Sequence, residues 1–452
     1  MDYKNKKVIV VGMAKSGVAA AVLLCKLGAE VTIYDAKKKS ELAGGLFAEL
    51  DQYKYTDMTG RDILPMIDTA DVLVLSPGVP LDLPFIRRAK ELGRRVIAEI
   101  ELGYEYSKAD LIAITGTNGK TTTTDLTGVI FKNAGYNTFV LGNIGVPIAQ
   151  EALNTKKGDV IVAETAALQL DTIEKYHPCE SALLNITEDH LNRYGTMENY
   201  IAAKARVFEN QTPEDICVLN YENEYVRALA PRVKAQVFWF STKRELEQGA
   251  FVRDGSIVFK KPGKDILILP ADEVRIPGEH NLENALAATI LAVEYGIAPE
   301  IVAQTLKTYA GVEHRIEFVR TVNGIDFIND SKGTNPDATI KAIQAMKKPT
   351  VLILGGSDKK TSFIEMYEAM TPLIKHVVLL GETAPQLEEA AKKTGYCNYV
   401  RADSFRDAVM QAYRLAEPGD NVLLSPACAS FDMFDNFEQR GEVFKQIVRE
   451  LV

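Results

Sequence analysis

Short apolar runs, each breaking into glycine and polar residues and most leading into a helix-period stretch, recur along the chain. Lys7 to Val11 opens the series and breaks into Gly12-Met13-Ala14-Lys15-Ser16-Gly17. An apolar helix to Leu27 follows, closed by Gly28, and Glu30 to Tyr34 forms a second run ending in Asp35. Continuous apolar runs mark strands buried on both faces, and their alternation with helices predicts parallel βαβ sheets. Asp71 to Leu75 ends in Ser76-Pro77-Gly78-Val79, and Leu111 to Thr115 ends in Gly116-Thr117-Asn118-Gly119-Lys120-Thr121. Thr138 to Leu141 runs into Gly142-Asn143, Asp159 to Ala163 into Glu164, and Ser181 to Ile186 into Thr187-Glu188-Asp189-His190. Residues 214–275 read as β-rich and irregular. The series resumes with Ile325 to Ile328, Val351 to Leu354, His376 to Leu380 and Asn421 to Leu424. At roughly 150 residues per domain, 452 residues hold about three. Boundaries near Ala98 and Gly311 give 1–98, 99–311 and 312–452. The fold class is therefore α/β: a Rossmann-like N-terminal domain, a central P-loop ATPase-like domain with a parallel sheet, and a C-terminal Rossmann-like domain.

The stretch from Asp110 to Thr124 carries the most chemistry. Strand, glycine-rich turn and a helix N-terminus bearing Lys and Thr cradle nucleotide phosphates. Backbone N–H groups and the helix dipole favour the anion, Lys120 neutralises terminal phosphates, and Thr121 can hold Mg2+. Ile114 stands where the usual pattern has its first glycine, so Gly116 to Thr121 is a compressed variant. A helix-capping turn with a surface lysine is the bland alternative; the strand context, two glycines and the GKT run favour ATP. The N-terminal turn resembles a dinucleotide fingerprint with Ala14 in place of its middle glycine. That methyl disfavours NAD, and a UDP diphosphate can use the same helix terminus. Glu164 and His190 lie at the ends of strands near the phosphate loop, suitably placed for Mg2+. Singly, a solvated strand end for Glu164 and a helix-cap or loop histidine for His190 are the better readings; together beside the GKT run they favour Mg2+ ligation.

Lys204 has Tyr200, Ile201, Val207 and Phe208 as its helical neighbours three and four residues away, so it sits on the face expected to be buried. One account is a snorkelling side chain. The other is a desolvated amine with a lowered pKa, able to add CO2 as a carbamate and help hold a second Mg2+. Asn281 and Asn284 share a helical face and either read an adenine edge or serve as helix caps.

Composition narrows the classes. A net charge of −9 argues against nucleic acid as a partner, and 46% hydrophobic with 25% charged residues is ordinary for a soluble chain. Five scattered cysteines, none in a CxxC pair, fit reduced thiols in a cytoplasm. No stretch reaches the ~18 to 20 apolar residues of a membrane span. A cytoplasmic monomer is the expectation, with hinge closure of the domains over ATP.

Together the GTNGKT loop, the NITEDH segment (185–190), the AAK helix (202–204), GEHNLEN (278–284), EHR (313–315) and NDSKGTN (329–335) resemble, in order, the ATP-dependent Mur ligase family. The resemblance runs the length of the chain. It is strongest to the D-glutamate-adding branch, through Ser76-Pro77-Gly78 and residues 424–441, and the chain has no DNPR-like motif of the diamino-acid-adding members. The resemblance implies an amide ligase of peptidoglycan-precursor synthesis, joining UDP-N-acetylmuramoyl-L-alanine and D-glutamate through an acyl phosphate. It implies that ATP is held by Gly116, Thr117, Asn118, Gly119, Lys120, Thr121 and Thr122, with Asn281 and Asn284 at adenine and Arg315, Asp330 and Lys332 around the rest. Thr121 and Glu164 would hold one Mg2+, and His190 with a carbamylated Lys204 the second. Lys120, Glu164, His190 and Lys204 are the implied catalytic set. Gly12, Ala14, Lys15, Ser16, Gly17, Asp35, Ser76, Pro77, Gly78 and Asn143 would receive the UDP-sugar. Thr334, Lys359 (or its neighbour Lys360), Ser430 and Phe437 would form the D-glutamate pocket. The chain departs from the family's ELSSFQL at Glu164-Thr165-Ala166-Ala167-Leu168-Gln169-Leu170, where two hydroxyls are missing and the first would help bind the UDP-sugar. Other readings are a related ligase with another amino acid or acceptor, a nicotinamide-dependent oxidoreductase resting on the first domain alone, and a non-catalytic relative.

Overall fold

The computed structural model describes residues 1–42, 45–357 and 361–451, and three sheets organise them. The N-terminal sheet is fully parallel, in the order Thr56–Asp57, Glu30–Tyr34, Lys7–Val11, Val72–Leu75, Arg95–Ala98. Its first strand lies at the centre because Val8 to Val11 are apolar on both faces and can be covered by helices on each side. The turn that follows is forced by contact: a Cβ on Gly17 would sit 1.8 Å from the Gly12 carbonyl oxygen, so the helix Lys15–Lys26 packs directly onto the strand end.

The second sheet has nine strands. From one edge they run Thr138–Gly142, Val160–Glu164, Asp110–Thr115, Glu180–Leu183, Ile216–Asn220, Gln236–Ser241, Gly249–Arg253, Ser256–Lys261, Lys264–Pro270. The first seven are parallel and the last two join as antiparallel hairpins. The stretch 214–275 is thus regular, continuing the sheet. At the hairpin end its strands are short apolar runs flanked by exposed or half-buried charged residues, which blurs the buried-strand pattern there. The third sheet runs Glu317–Val322, Ile325–Asn329, Asn421–Leu424, Thr350–Gly355, Ile374–Leu380, Tyr399–Arg401, with only its first strand antiparallel.

The chain divides into two compact units, 1–275 with 279–309, and 276–278 with 310–452. The predicted strands appear within a residue or two, with one informative exception. The run expected over 181–186 is a strand only over Glu180–Leu183. Beyond it the backbone leaves the ladder to grip the loop beside it: Thr117 N–H donates to the Asn185 carbonyl at 2.9 Å. All five cysteines are free, and among the described residues no helix is long and apolar enough to cross a membrane.

Candidate functional site

The strand Asp110–Thr115 lies between Val160–Glu164 and Glu180–Leu183, so its glycine-rich loop emerges at the carboxyl end of a parallel sheet. Gly116 and Gly119 take positive φ (+153° and +83°). A Cβ on Gly119 would lie 2.4 Å from Asn284 Oδ1, so no other residue fits without displacing that carboxamide. The helix Lys120–Asn133 starts with no side-chain cap, leaving its first N–H groups directed at the space an anion would occupy. Lys120 Nζ donates to the Thr117 carbonyl at 2.9 Å, and Asn118 is clamped by Asn185: its N–H donates to Asn185 Oδ1 at 2.8 Å and its carbonyl accepts from Asn185 Nδ2 at 3.1 Å.

Thr121 Oγ1 donates to Glu164 Oε2 at 2.7 Å, with both residues buried. The other carboxylate oxygen accepts from Asn143 Nδ2 at 2.8 Å, so Asn143, expected at the UDP-sugar, braces Glu164. A hydroxyl beside a carboxylate, at a helix N-terminus built for phosphate, is a hard oxygen donor set that fits Mg2+.

Lys204 lies on the buried face of the helix Met197–Ala205, 2% exposed. Its Nζ donates to the Gly116 carbonyl at 2.8 Å and stands 4.6 Å from the centre of the Tyr200 ring. Among the described residues no carboxylate forms an ion pair with the ammonium, and burial, then the Lys120 charge, hold its pKa well below the usual lysine range. That excludes the snorkelling account. Tyr200 ties the group together: its hydroxyl is 3.3 Å from Thr117 Oγ1 and its ring meets the His190 ring edge-on at 6.2 Å. His190 is exposed, with φ +53°, at the start of the short helix Leu191–Tyr194. Thr122 is buried on the phosphate-loop helix beside Thr123, whose Oγ1 donates to Asn284 Oδ1 at 3.1 Å; Asn284 Nδ2 in turn donates to Asn281 Oδ1 at 3.2 Å.

In the N-terminal turn, Met13 N–H donates to Asp35 Oδ2 at 2.8 Å and Ser76 Oγ donates to the Gly12 carbonyl at 2.7 Å. Ala14 and Lys15 are exposed at the helix start, with Ser16 half-buried behind them; Pro77 is half-buried and Gly78 exposed beyond Ser76. Around the departure from ELSSFQL, Thr165 Oγ1 is 3.0 Å from the Tyr176 hydroxyl and Ala166 N–H donates to Gln169 Oε1 at 2.9 Å. Gln169 Nε2 is buried without a hydrogen-bond partner.

The second unit holds its own polar cluster. Asp330 Oδ2 accepts from Ser425 Oγ at 2.6 Å and Oδ1 from Ile316 N–H at 3.2 Å; burial raises its carboxyl to about 6. Arg315 is half-buried and its Nε is buried without a partner. Lys332 Nζ stands 5.6 Å from the Phe437 ring centre, Ser430 is buried, and Thr334 N–H donates to the Lys332 carbonyl at 2.8 Å. Lys359 and Lys360 lie outside the described residues. Arg440, not singled out by sequence, is 1% exposed and donates to Ser331 Oγ and to the carbonyls of Ser331, Ala429 and Cys428. Asn185 and Tyr200 were also missed. Both lie in segments read for other residues, and only a tertiary contact gives either its role.

Comparison with known proteins bears on these arrangements. Residues 6–98 match the family described as Mur ligase MurD-like, N-terminal domain, residues 114–292 the Mur ligase middle domain, and residues 314–428 the Mur ligase, glutamate ligase domain. Relatives named UDP-N-acetylmuramoylalanine--D-glutamate ligase, from Alkaliphilus oremlandii and Clostridioides difficile, are 47% and 45% identical, and each alignment covers 100% of both chains. Among solved structures, UDP-N-acetylmuramate-alanine ligase MurC from Thermotoga maritima is 19% identical with a TM-score of 0.60, covering 98% of this chain and 99% of its own. A MurF ligase from Thermotoga maritima in complex with ADP is 16% identical with a TM-score of 0.58, covering 93% and 95%.

Proposed function

The chain belongs to the Mur ligase family, and on that premise we propose that it is the ATP-dependent ligase joining D-glutamate to UDP-N-acetylmuramoyl-L-alanine. The reaction yields ADP and phosphate in cytoplasmic peptidoglycan-precursor synthesis, and the three domains are 1–98 for the UDP-sugar, 99–311 for ATP and 312–452 for the amino acid. The observation that carries this reading is end-to-end similarity to relatives of that name, at 47% identity with no segment left over.

The geometry supports a mechanism of positioning and charge neutralisation. The carboxylate of the UDP-linked alanine attacks the γ-phosphorus of ATP; the bond to the β-γ bridging oxygen breaks, giving an acyl phosphate and ADP. The amine of D-glutamate attacks the acyl carbon, loses its proton, and the tetrahedral intermediate expels phosphate. The uncapped start of Lys120–Asn133 and the Lys120 ammonium receive the phosphates. Thr121 and Glu164 would hold one Mg2+, and His190 with Lys204 as a carbamate would hold the other; bound Mg2+ would neutralise the transferring phosphoryl oxygens. The lowered pKa of Lys204 supports the carbamate, because only a neutral amine adds CO2, releasing a proton as the N–C bond forms. Gly12 to Gly17, Asp35, Ser76 to Gly78 and Asn143 receive the UDP-sugar. In the second unit Arg315, Asp330 and Lys332 serve ATP, and Thr334, Lys359, Ser430 and Phe437 serve D-glutamate.

The test is phosphate release from Mg·ATP with UDP-N-acetylmuramoyl-L-alanine, comparing D-glutamate, L-glutamate and L-lysine. Release confined to D-glutamate is expected; release with another amino acid, or none, overturns the assignment. Ala166 and Ala167 favour a second reading, a non-catalytic relative, which turnover of any kind rejects.

A further inference from the structure

The segment 187–194 is held at both ends. At one, Thr187 N–H donates to Thr117 Oγ1 of the phosphate loop at 3.1 Å, and Thr117 Oγ1 lies 3.2 Å from the Thr187 carbonyl. At the other, Arg193 reaches out of the nine-stranded sheet's domain: its Nη2 donates to the Val79 carbonyl at 2.8 Å. Val79 closes the turn that begins at Ser76, its N–H donating to the Ser76 carbonyl at 3.1 Å, and Ser76 Oγ holds the Gly12 carbonyl at 2.7 Å. Arg193 is also one turn from His190: its N–H donates to the His190 carbonyl at 2.9 Å. An unbroken series of contacts therefore runs from the glycine turn of the first domain, through Ser76, Val79 and Arg193, to His190.

The guanidinium is well placed to transmit small movements. It is half-buried, its Nη2 is 3.8 Å from Asp171 Oδ2, and the Tyr194 hydroxyl is 3.3 Å from both Asp171 oxygens. Asp171 follows directly on the helix Ala167–Leu170, and its carbonyl accepts from Arg206 Nη1 at 2.6 Å. A charge-assisted bond to a carbonyl, steered by a carboxylate, is stronger and more directional than a neutral one. His190 has a positive φ and an exposed ring, so besides the Tyr200 ring at 6.2 Å and Asp189 Oδ2 at 3.6 Å its direction is set by the start of this helix.

We propose that Arg193 is a positioning residue that couples occupancy of the first-domain turn to the orientation of His190, so that UDP-substrate binding and divalent-cation binding strengthen each other. This rests on the reading of both sites given above. The latch contributes no atom to the reaction and acts only through Val79 and His190.

The experiment measures Mn2+ binding by electron paramagnetic resonance in the full-length protein with a non-hydrolysable ATP analogue, with and without UDP-N-acetylmuramoyl-L-alanine. In the parent the UDP-substrate is expected to tighten Mn2+ by about fivefold or more, the usual scale of linkage between two sites. Arg193→Met is expected to reduce that factor below about twofold while ATP-analogue affinity is retained, and Arg193→Lys to keep part of it. Equal coupling in parent and both variants, or no coupling in the parent, overturns the proposal. A weaker grip on ATP analogue equal to the loss for Mn2+ also overturns it, since that marks general damage. No turnover is needed, so a parent that couples but does not ligate D-glutamate fails only the functional reading. A parent that binds no UDP-substrate fails both.

Discussion

Lys204 and Arg440 are both buried cations on helices, 2% and 1% exposed, and they are treated in opposite ways. Arg440 sits in a nest of oxygens from Ser331, Ala429 and Cys428, so its charge is spread over acceptors and survives burial, although burial lowers its pKa to about 10. Lys204 has one carbonyl, an aromatic face and a second ammonium nearby, and its proton is what the surroundings disfavour. A guanidinium making four hydrogen bonds is a structural cross-link, whereas an amine given one carbonyl is held towards its neutral form. The same degree of burial thus leaves one cation paired with oxygens and the other with its charged form disfavoured.

The sharpest way to break this contrast is to remove each cation. Lys204→Met is expected to lower turnover by about a hundredfold or more, the scale of losing one preorganised charge stabiliser, and to leave melting temperature unchanged or raised. Because the folded amine titrates well below its unfolded value, the parent loses stability as pH falls from about 10 towards the folded value, and the variant does not. Parent turnover should fall across the lower part of that range, as the ammonium replaces the amine; a flat turnover profile, or a strongly destabilised variant, would put Lys204 with Arg440. Arg440→Met is expected to cost about 3–5 kcal/mol of stability by leaving buried acceptors unpaired, read as a lower denaturation midpoint.

A third substitution sharpens the second unit. Asp330 titrates at about 6 when folded against 3.8 in its unperturbed state, so its favourable contribution is full below about pH 4 and gone above about pH 6. Asp330→Asn should therefore gain on the parent by about 3 kcal/mol across that window and hold the difference above it, measured by denaturation at stepped pH. A constant difference from pH 4 to 7 would mean the carboxyl is ionised in its cluster. The smallest effect is expected from Ala166→Ser. The residue starts the helix Ala167–Leu170 without a side-chain cap, and a hydroxyl there should add about 1 kcal/mol and lower the KM for the UDP-substrate. An unchanged KM would separate that position from the substrate site.

Much of this arrangement was legible in advance because it is local. Continuous apolar runs gave the parallel strands, and glycines with polar residues at their ends gave the loop Gly116 to Thr121. Four apolar neighbours at helical spacing put Lys204 inside. The same rule applied to Arg440, with Phe437, Val443 and Phe444 around it, would have placed it inside too. It would not have said which of the two keeps its proton, because that depends on carbonyls supplied from 331 and 428–429, about a hundred residues earlier and a dozen earlier respectively. The bond from Asn143 to Glu164 and the clamp of Asn185 on Asn118 are not legible in the sequence for the same reason. Spacing shows which face a side chain occupies, whereas its partner is decided by strand order.

Strand order also has a consequence for how the protein is made. The strand Asp110–Thr115 is bordered by two strands that lie later in the chain, and the loop it carries is braced by Asn185, Lys204 and Asn284. A growing chain therefore has no finished nucleotide cradle until synthesis has passed the helix Glu279–Glu294, well after the first sheet is complete. The N-terminal domain can fold as it emerges, while the middle strand of the central one has no neighbour to pair with until residues 160–183 have been made.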